Sequence, residues 1–240
     1  MTLYSNDLAY IHDAGFGRFA DRAAPELLRI LRRHGITPTR TRPTVIDIGC
    51  GSGILAAHLA SAGYDVLGID RSAAMIRLAR AKAPRARFRV ASLVDAALPH
   101  SSAVIAIGEI VSYVPGGLPV LRRFFRRVRA ALAPGGVFVF DFIESAARRT
   151  FPPRRFGGPD WALVASATAD GSGRILTRRM VTFRKIGGEF RRSREVHRVR
   201  IYSRDEIGAA LGAAGLAYEM RRSIGRLPLM AGDVAVVATL

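Results

Sequence analysis

The chain has 240 residues, 49% of them hydrophobic, and a formal net charge of +18 from 37 Lys and Arg against 19 Asp and Glu. That length and apolar content exclude a disordered chain and suit one domain with an elaborated cap, since single cores stop growing near ~250–300 residues. One cysteine, Cys50, excludes an intramolecular disulfide and a cysteine-cluster metal site, and no metal is expected.

Taken in chain order, a helical stripe runs through Ala24–Leu31 and is closed by Gly35 and Pro38. The β-branched run Thr44–Ile48 then ends in Gly49-Cys50-Gly51-Ser52-Gly53, after which Ile54–Ala60 reads as a helix. The unit repeats with a strand at Asp65–Asp70, a helix over Ser72–Ala81 and a strand at Arg87–Val90. A strand at Ala103–Ile107, a helix over Leu118–Leu132 and a strand at Val137–Asp141 follow. Strands alternating with helices predict a parallel sheet covered on both faces, with ligands bound outside the carboxyl ends of the strands.

Beyond Glu144 the pattern changes. Phe151–Pro159, rich in Pro, Gly and Arg, fits neither period and reads as a loop or lid. Three antiparallel strands are expected at Trp161–Thr168, Arg174–Phe183 and Glu189–Ile201, turning at Asp170–Gly173 and Gly187-Gly188. A helix over Asp205–Ala214 with Ser203 as its N-cap precedes strands at Leu216–Arg221 and Val234–Thr239, which are expected to rejoin the main sheet.

A glycine loop after the first strand brings backbone close to a ligand, and an acidic residue closing the second strand can accept hydrogen bonds from ribose hydroxyls. Gly49, Gly51, Gly53 and Asp70 stand in those places, but Ile54 departs from the dinucleotide spacing. Val45-Ile46-Asp47-Ile48-Gly49-Cys50-Gly51-Ser52-Gly53 with Gly68-Ile69-Asp70-Arg71-Ser72 resembles the class I S-adenosylmethionine-dependent methyltransferases of small-molecule type.

The resemblance implies an α/β fold: a Rossmann-like, doubly wound, seven-stranded, mostly parallel sheet with an inserted antiparallel β cap before the last helix and two strands. It divides a single methyltransferase domain into an N-terminal helical cap (1–40), a cofactor-binding core (41–145), an inserted cap or lid (151–201) and the closing helix and strands (202–240). It puts Gly49 and Gly51 beside the methionine moiety, Asp47 near its amino group, Asp70 on the ribose, and Arg71, Met75, Ser92 and Leu93 around the adenine. Cys50 and Gly108 complete the cofactor-contacting set. The cofactor implied is S-adenosylmethionine, with S-adenosylhomocysteine as product.

Methyl transfer needs alignment of nucleophile and methyl and is helped by a base. The resemblance implies that the segment after the fourth strand, with Glu109 and Tyr113, faces the methyl, and that the N-terminal segment carrying His12 folds over the cofactor with Tyr4 and Tyr10 lining the pocket mouth. His197 lies two residues from Glu195, so period two puts both on one strand face, although its arginine neighbours also suit a solvated strand. His12, Glu109, Tyr113 and His197 are the candidate catalytic residues. Tyr10, Arg154, Arg155, Arg178 and Glu195 are the candidates for acceptor binding, the arginines as partners of a carboxylate or phosphate on a small acceptor.

Two other readings stay open: an RNA methyltransferase using the arginine-rich surface, and a non-catalytic S-adenosylmethionine sensor. Only Lys82 and Lys185 are lysines, and an excess of arginine reflects coding bias as readily as a polyanion partner, so nucleic acid is not favoured. No apolar run reaches the ~18–20 residues that cross a bilayer, and Met1–Asp7 has no basic or apolar leader pattern. The expectation is a cytoplasmic monomer or homodimer with no membrane partner.

Overall fold

The computed structural model describes residues 3–145 and 150–240; Met1, Thr2 and 146–149 lie outside the described residues. The chain opens with helices α1 (Asn6–Phe16) and α2 (Arg18–Arg33). Then come β1 (Thr44–Ile48), α3 (Ile54–Ser61), β2 (Asp65–Asp70), α4 (Ala73–Lys82), β3 (Arg87–Val90) and β4 (Ser101–Ala106). A 3-10 turn (Ile110–Tyr113), α5 (Gly117–Ala131) and β5 (Leu132–Ile143) complete the first half. The second half comprises β6 (Thr150–Gly157), β7 (Trp161–Ala169), β8 (Ile175–Ile186), β9 (Glu189–Arg200) and α6 (Arg204–Gly212). It closes with β10 (Ala217–Arg221), a two-residue hairpin of β11 (Ser223–Ile224) and β12 (Leu227–Pro228), and β13 (Asp233–Thr239).

Seven strands form the main sheet in the order β10-β13-β5-β4-β1-β2-β3. Pairing is parallel from β5 to β3, and β13 enters antiparallel between β10 and β5. Alternate residues of each central strand feed opposite layers. Ile46, Ile48, Phe138, Phe140 and Phe142 face α5 and α6, while Val45, Ala103, Ile105, Val137 and Val139 face α2 and α3. Ligand-facing residues therefore collect where β1, β2, β4 and β5 end together.

The second sheet, β6-β7-β8-β9, is antiparallel throughout. Its odd-numbered β7 and β9 residues and even-numbered β8 residues share one face: Ala167 registers with Arg178 and Arg178 with His197, and Ala165 with Met180 and Met180 with Glu195. That face is covered by α1, whose Leu8 and Ile11 are buried against Trp161 and Leu163. A Cβ on Gly15 would lie 2.6 Å from the Trp161 ring, so only glycine lets α1 settle this closely.

Three features differ from the sequence expectation. The segment 151–159, expected to be a loop, is mostly strand: β6 pairs with β7 on both sides of a register shift between Phe151 and Arg154, where Pro152 and Pro153 fall. An edge strand tolerates this because proline has no N–H to give a ladder. The cap thus has four strands and not three. Asn6–Phe16 is helical, as the expected N-terminal helical cap requires, although its apolar stripe is weak, the β cap supplying the packing that the sequence pattern lacks. The hairpin of β11 and β12 was not expected. Among the described residues no helix is long and apolar enough to cross a membrane.

Candidate active site

The loop after β1 is shaped by three left-handed glycines, Gly49, Gly51 and Gly53, with φ of 71°, 52° and 79°. The Gly49 and Cys50 amides donate to the Ile69 carbonyl at 2.7 and 3.1 Å, tying the loop to the end of β2. Asp70 accepts from the Gly51 amide at 3.0 Å and from the Ser72 amide at 2.8 Å. Burial pushes the Asp70 carboxyl up against the pull of those donors.

Asp47, one residue inside β1, is 2% exposed, and its Oδ2 has no hydrogen-bond partner. Burial, and then the charge of Asp70, raise its pKa to about 7. A Cβ added at Gly51 or at Gly108 (φ 88°) would meet nothing within 4 Å. An orphaned buried carboxylate beside open backbone suits a ligand that carries a positive charge and lies against the main chain. Cys50 is buried, and burial pushes its thiol well above the ordinary range, so it is a wall and not a nucleophile.

Met75 is buried in the first turn of α4, which Ser72 caps by accepting from the Met75 amide at 3.2 Å. Arg71 is exposed. Ser92 and Leu93 lie half-buried in the turn after β3, where the Ser92 carbonyl accepts from Ala96 at 2.8 Å.

The segment after β4 meets the cap. Glu109 is held in a left-handed conformation (φ 62°), a strained choice for a side chain of its size. Its amide donates to Asp141 Oδ1 at 2.7 Å, and its carboxylate pairs with Arg178 at 2.6 Å. Arg178 also donates to the Tyr113 hydroxyl at 3.2 Å. Asp141, 1% exposed, is raised to about 7 by burial and by Glu109 against its backbone donors, and Asp233 beside it is raised to about 8 by burial and then by Glu109 and Asp141.

His197 is 1% exposed, and its Nε2 lies 2.9 Å from Glu195 Oε2. Despite the cost of burial, donors from His197, Ser5 and Tyr4 hold the Glu195 carboxyl below its ordinary value. An ionised carboxylate only accepts, so Nε2 is assigned the hydrogen. The Tyr4 and Tyr113 rings lie 5.0 and 5.8 Å from the imidazole. His12, 5.2 Å from Tyr4, is lowered to about 4 by burial and is neutral near pH 7.

Of the candidates, Glu109, Tyr113, Arg178, Glu195 and His197 come together, and His12 borders them through Tyr4. The solvated alternative for His197 does not hold, because it points inward between arginines that point out. Arg178 is neutralised by Glu109 and does not present the free anion site expected of it. Arg154 and Arg155 are exposed on the edge strand β6 and make no ion pair among the described residues. Tyr10 is drawn to the outer side of α1, where its hydroxyl donates to Asp160 at 2.6 Å and Arg184 lies 3.9 Å from its ring centroid. It lines a separate cleft of about 540 Å³ with Phe16, Phe156 and Trp161.

Asp141, Asp233, Ser72 and Ser5 were missed as site residues. A carboxylate within Val137-Phe138-Val139-Phe140-Asp141-Phe142-Ile143 was the available signal, since an acid inside an apolar strand is rarely there without a partner. Among the described residues no three His, Cys, Asp or Glu side chains are arranged to hold a metal ion.

A doubly wound sheet with a glycine loop after β1 and carboxylates ending β1 and β2 defines the class: the chain is a class I S-adenosylmethionine-dependent methyltransferase, and its cofactor is S-adenosylmethionine. Residues 45–136 match the methyltransferase domain family. The chain is 27% identical over 237 residues to the dTDP-3-amino-3,6-dideoxy-alpha-D-glucopyranose N,N-dimethyltransferase of Streptomyces fradiae, covering 90% of this chain and 86% of that one. Among solved structures it resembles an S-adenosylmethionine-dependent methyltransferase from Clostridium acetobutylicum (TM-score 0.83, 15% identity, 98% of each chain). It also resembles CalS10, an amino pentose methyltransferase from Micromonospora echinaspora with S-adenosylmethionine bound (TM-score 0.75, 21% identity, 95% of this chain and 96% of that one).

Proposed function

We propose that the chain transfers the methyl group of S-adenosylmethionine by in-line displacement to a nucleophilic nitrogen or oxygen of a small molecule held beneath the β cap, with the amine of an amino sugar as the favoured acceptor. The observation that carries this reading is the buried His197–Glu195 pair on the inner face of the cap, beside Tyr113 and Glu109 of the segment after β4. An amine is an ammonium near neutral pH and cannot attack until it loses a proton. His197 Nδ1 is the lone pair suited to take that proton, and Glu195 orients the ring and stabilises the imidazolium. The relatives named as amino-sugar methyltransferases support the same acceptor class.

Charge favours an amine over an acid. Arg178 is already paired with Glu109, and the inner face of the cap adds a further carboxylate, Glu195. Tyr4 and Tyr113, both pushed up by burial, stay protonated and can donate to or accept from sugar hydroxyls.

On the cofactor side, Asp47 would hold the ammonium of the methionine moiety and Asp70 the ribose hydroxyls. Gly51 and Gly108 would leave the backbone open to the ligand, Gly49 and Cys50 would shape and wall the turn beside it, and Arg71, Met75, Ser92 and Leu93 would border the base. When bound, the sulfonium supplies the electrophilic methyl carbon. The test is transfer of labelled methyl to a panel of amino- and hydroxy-sugars, free and nucleotide-linked, with Asp70→Ala as blank. An amino sugar should be labelled, and His197→Asn should lower turnover by about 10²–10⁴. Labelling of hydroxyls alone, or an unchanged rate in His197→Asn, defeats the amine or the base assignment respectively.

A further inference from the structure

Glu195 is engaged beyond what orienting one imidazole requires. Its Oε1 accepts from the Ser5 amide at 2.8 Å and from Ser5 Oγ at 2.6 Å, while Oε2 accepts from the Tyr4 amide at 2.8 Å and from His197. Aiming two successive amides at one carboxylate requires a turned backbone, and Tyr4 supplies it with φ 54°, a left-handed conformation that a tyrosine adopts at a cost. Ser5 stands at the N-cap of α1, where a serine hydroxyl ordinarily accepts from the helix's own amides. Here it makes no such bond and gives its hydrogen to Glu195.

The other end of the segment is fastened to the cofactor pocket. Ser72 Oγ donates to the Tyr4 carbonyl at 2.7 Å, and the Ser72 amide donates to Asp70 Oδ1 at 2.8 Å. An unbroken line of hydrogen bonds therefore joins His197, Glu195, Tyr4 with Ser5, Ser72 and Asp70. Its ends lie on β9 and β2, strands of different sheets that no ladder connects.

We propose that Tyr4 and Ser5 form a strap that positions the Glu195–His197 pair in response to occupancy of the cofactor pocket, so that the proton acceptor is assembled only beneath a loaded core. The inference rests on the reading of His197 as the base. A ligand on Asp70 fixes the turn that carries Ser72, Ser72 then holds the Tyr4 carbonyl, and the docked strap fixes the carboxylate. Released, the strap leaves Glu195 without three of its four donors and uncovers the space that an acceptor must enter. Tyr4 and Ser5 are positioning residues in this scheme, acting on the acceptor through Glu195 and His197.

The test uses the full chain labelled with ¹⁵N-histidine, with S-adenosylhomocysteine as the probe and His197→Asn to assign the ring signals. In the wild type, saturating S-adenosylhomocysteine should shift the His197 ring to a single Nε2–H tautomer with slowed proton exchange. Ser5→Pro, which fits the Ser5 φ of −58° but removes both donors, should lose that response while still binding the probe. Ser5→Ala, which keeps the amide, guards against misfolding of the proline variant and should respond more weakly, and Ser5→Thr should restore the wild-type response. A His197 signal that the probe leaves unchanged in the wild type, or an undiminished response in both Ser5→Pro and Ser5→Ala, overturns the proposal. Unchanged methyl transfer in His197→Asn would remove the base reading alone, because the ring response is read without an acceptor.

Discussion

Asp47→Asn should make the ligand-free protein more stable and its cofactor site weaker. In the folded chain the Asp47 carboxyl is raised from 3.8 to about 7, chiefly by burial and then by Asp70. A gap of about 3 units corresponds to about 4 kcal/mol of native-state cost once the unfolded chain has ionised. Between pH 3.8 and 7 the native state keeps a proton that the unfolded chain has released, so stability falls as pH rises through that window and is level above it. An Asn amide does not ionise but still has polar atoms to desolvate, at about 1–3 kcal/mol, leaving a net gain of about 2 kcal/mol. For a domain of this size that is a rise in Tm of about 4–8 °C. Thermal unfolding without ligand should show Asp47→Asn less stable than the wild type near pH 4, by about 2 kcal/mol, and more stable than it at pH 7 and 8. Calorimetric binding of S-adenosylhomocysteine should reverse the order: wild-type affinity falls about tenfold per pH unit below pH 7, and Asp47→Asn binds weakly at every pH. If Asp47→Asn is less stable than the wild type at pH 8, or binds as tightly, the assignment of an ammonium partner to this carboxylate is wrong.

Asp70→Ala removes the acceptor of the Gly51 and Ser72 amides, so S-adenosylhomocysteine binding should vanish in calorimetry while the far-ultraviolet circular dichroism is kept. Arg178→Met leaves Glu109 buried without its partner and should cost up to roughly 3–5 kcal/mol, measured by urea unfolding, with Arg178→Met/Glu109→Gln recovering most of it. Gly53→Ala would set a Cβ 2.9 Å from the Ala79 Cα at a φ of 79°, so α3 and α4 must move apart, and Tm should fall by several degrees, on the order of 1–3 kcal/mol.

The core of this fold was legible because its signals are local. Thr44–Ile48 and Asp65–Asp70 are largely apolar runs ended by glycine or acid, and each is followed by a helix whose period stands apart from the strand. The cap was legible only in part. Prolines at 152 and 153 argue against a strand on local grounds, and β6 exists because β7 offers a ladder that tolerates a bulge. For α1 the signal was weak for the same kind of reason: the surface that buries Leu8 and Ile11 is supplied by Trp161 and Leu163, about 150 residues later. The site divides along the same line. Asp47, the glycine loop and Asp70 are a sequence pattern, whereas the Arg178–Glu109 pair and the strap on Glu195 exist only once the two sheets face each other.

Charge shows why composition alone misdirects here. The chain carries +18 overall, yet the carboxylates it buries include Asp47, Glu109, Asp141 and Asp233, all near the strand ends where the ligands must lie. Arg178, which lies among them, is already paired with Glu109. A basic exterior around an acidic interior would be costly if the interior stayed empty of cations, because each buried carboxylate must either take up a proton or find a positive partner. Asp47, Asp141 and Asp233, raised to about 7, 7 and 8, sit close to that choice near neutral pH. A sulfonium cofactor and an ammonium acceptor would both supply the missing positive charge. The arginine excess then reads as a property of the surface, and the few buried acids as the part of the sequence that speaks about chemistry.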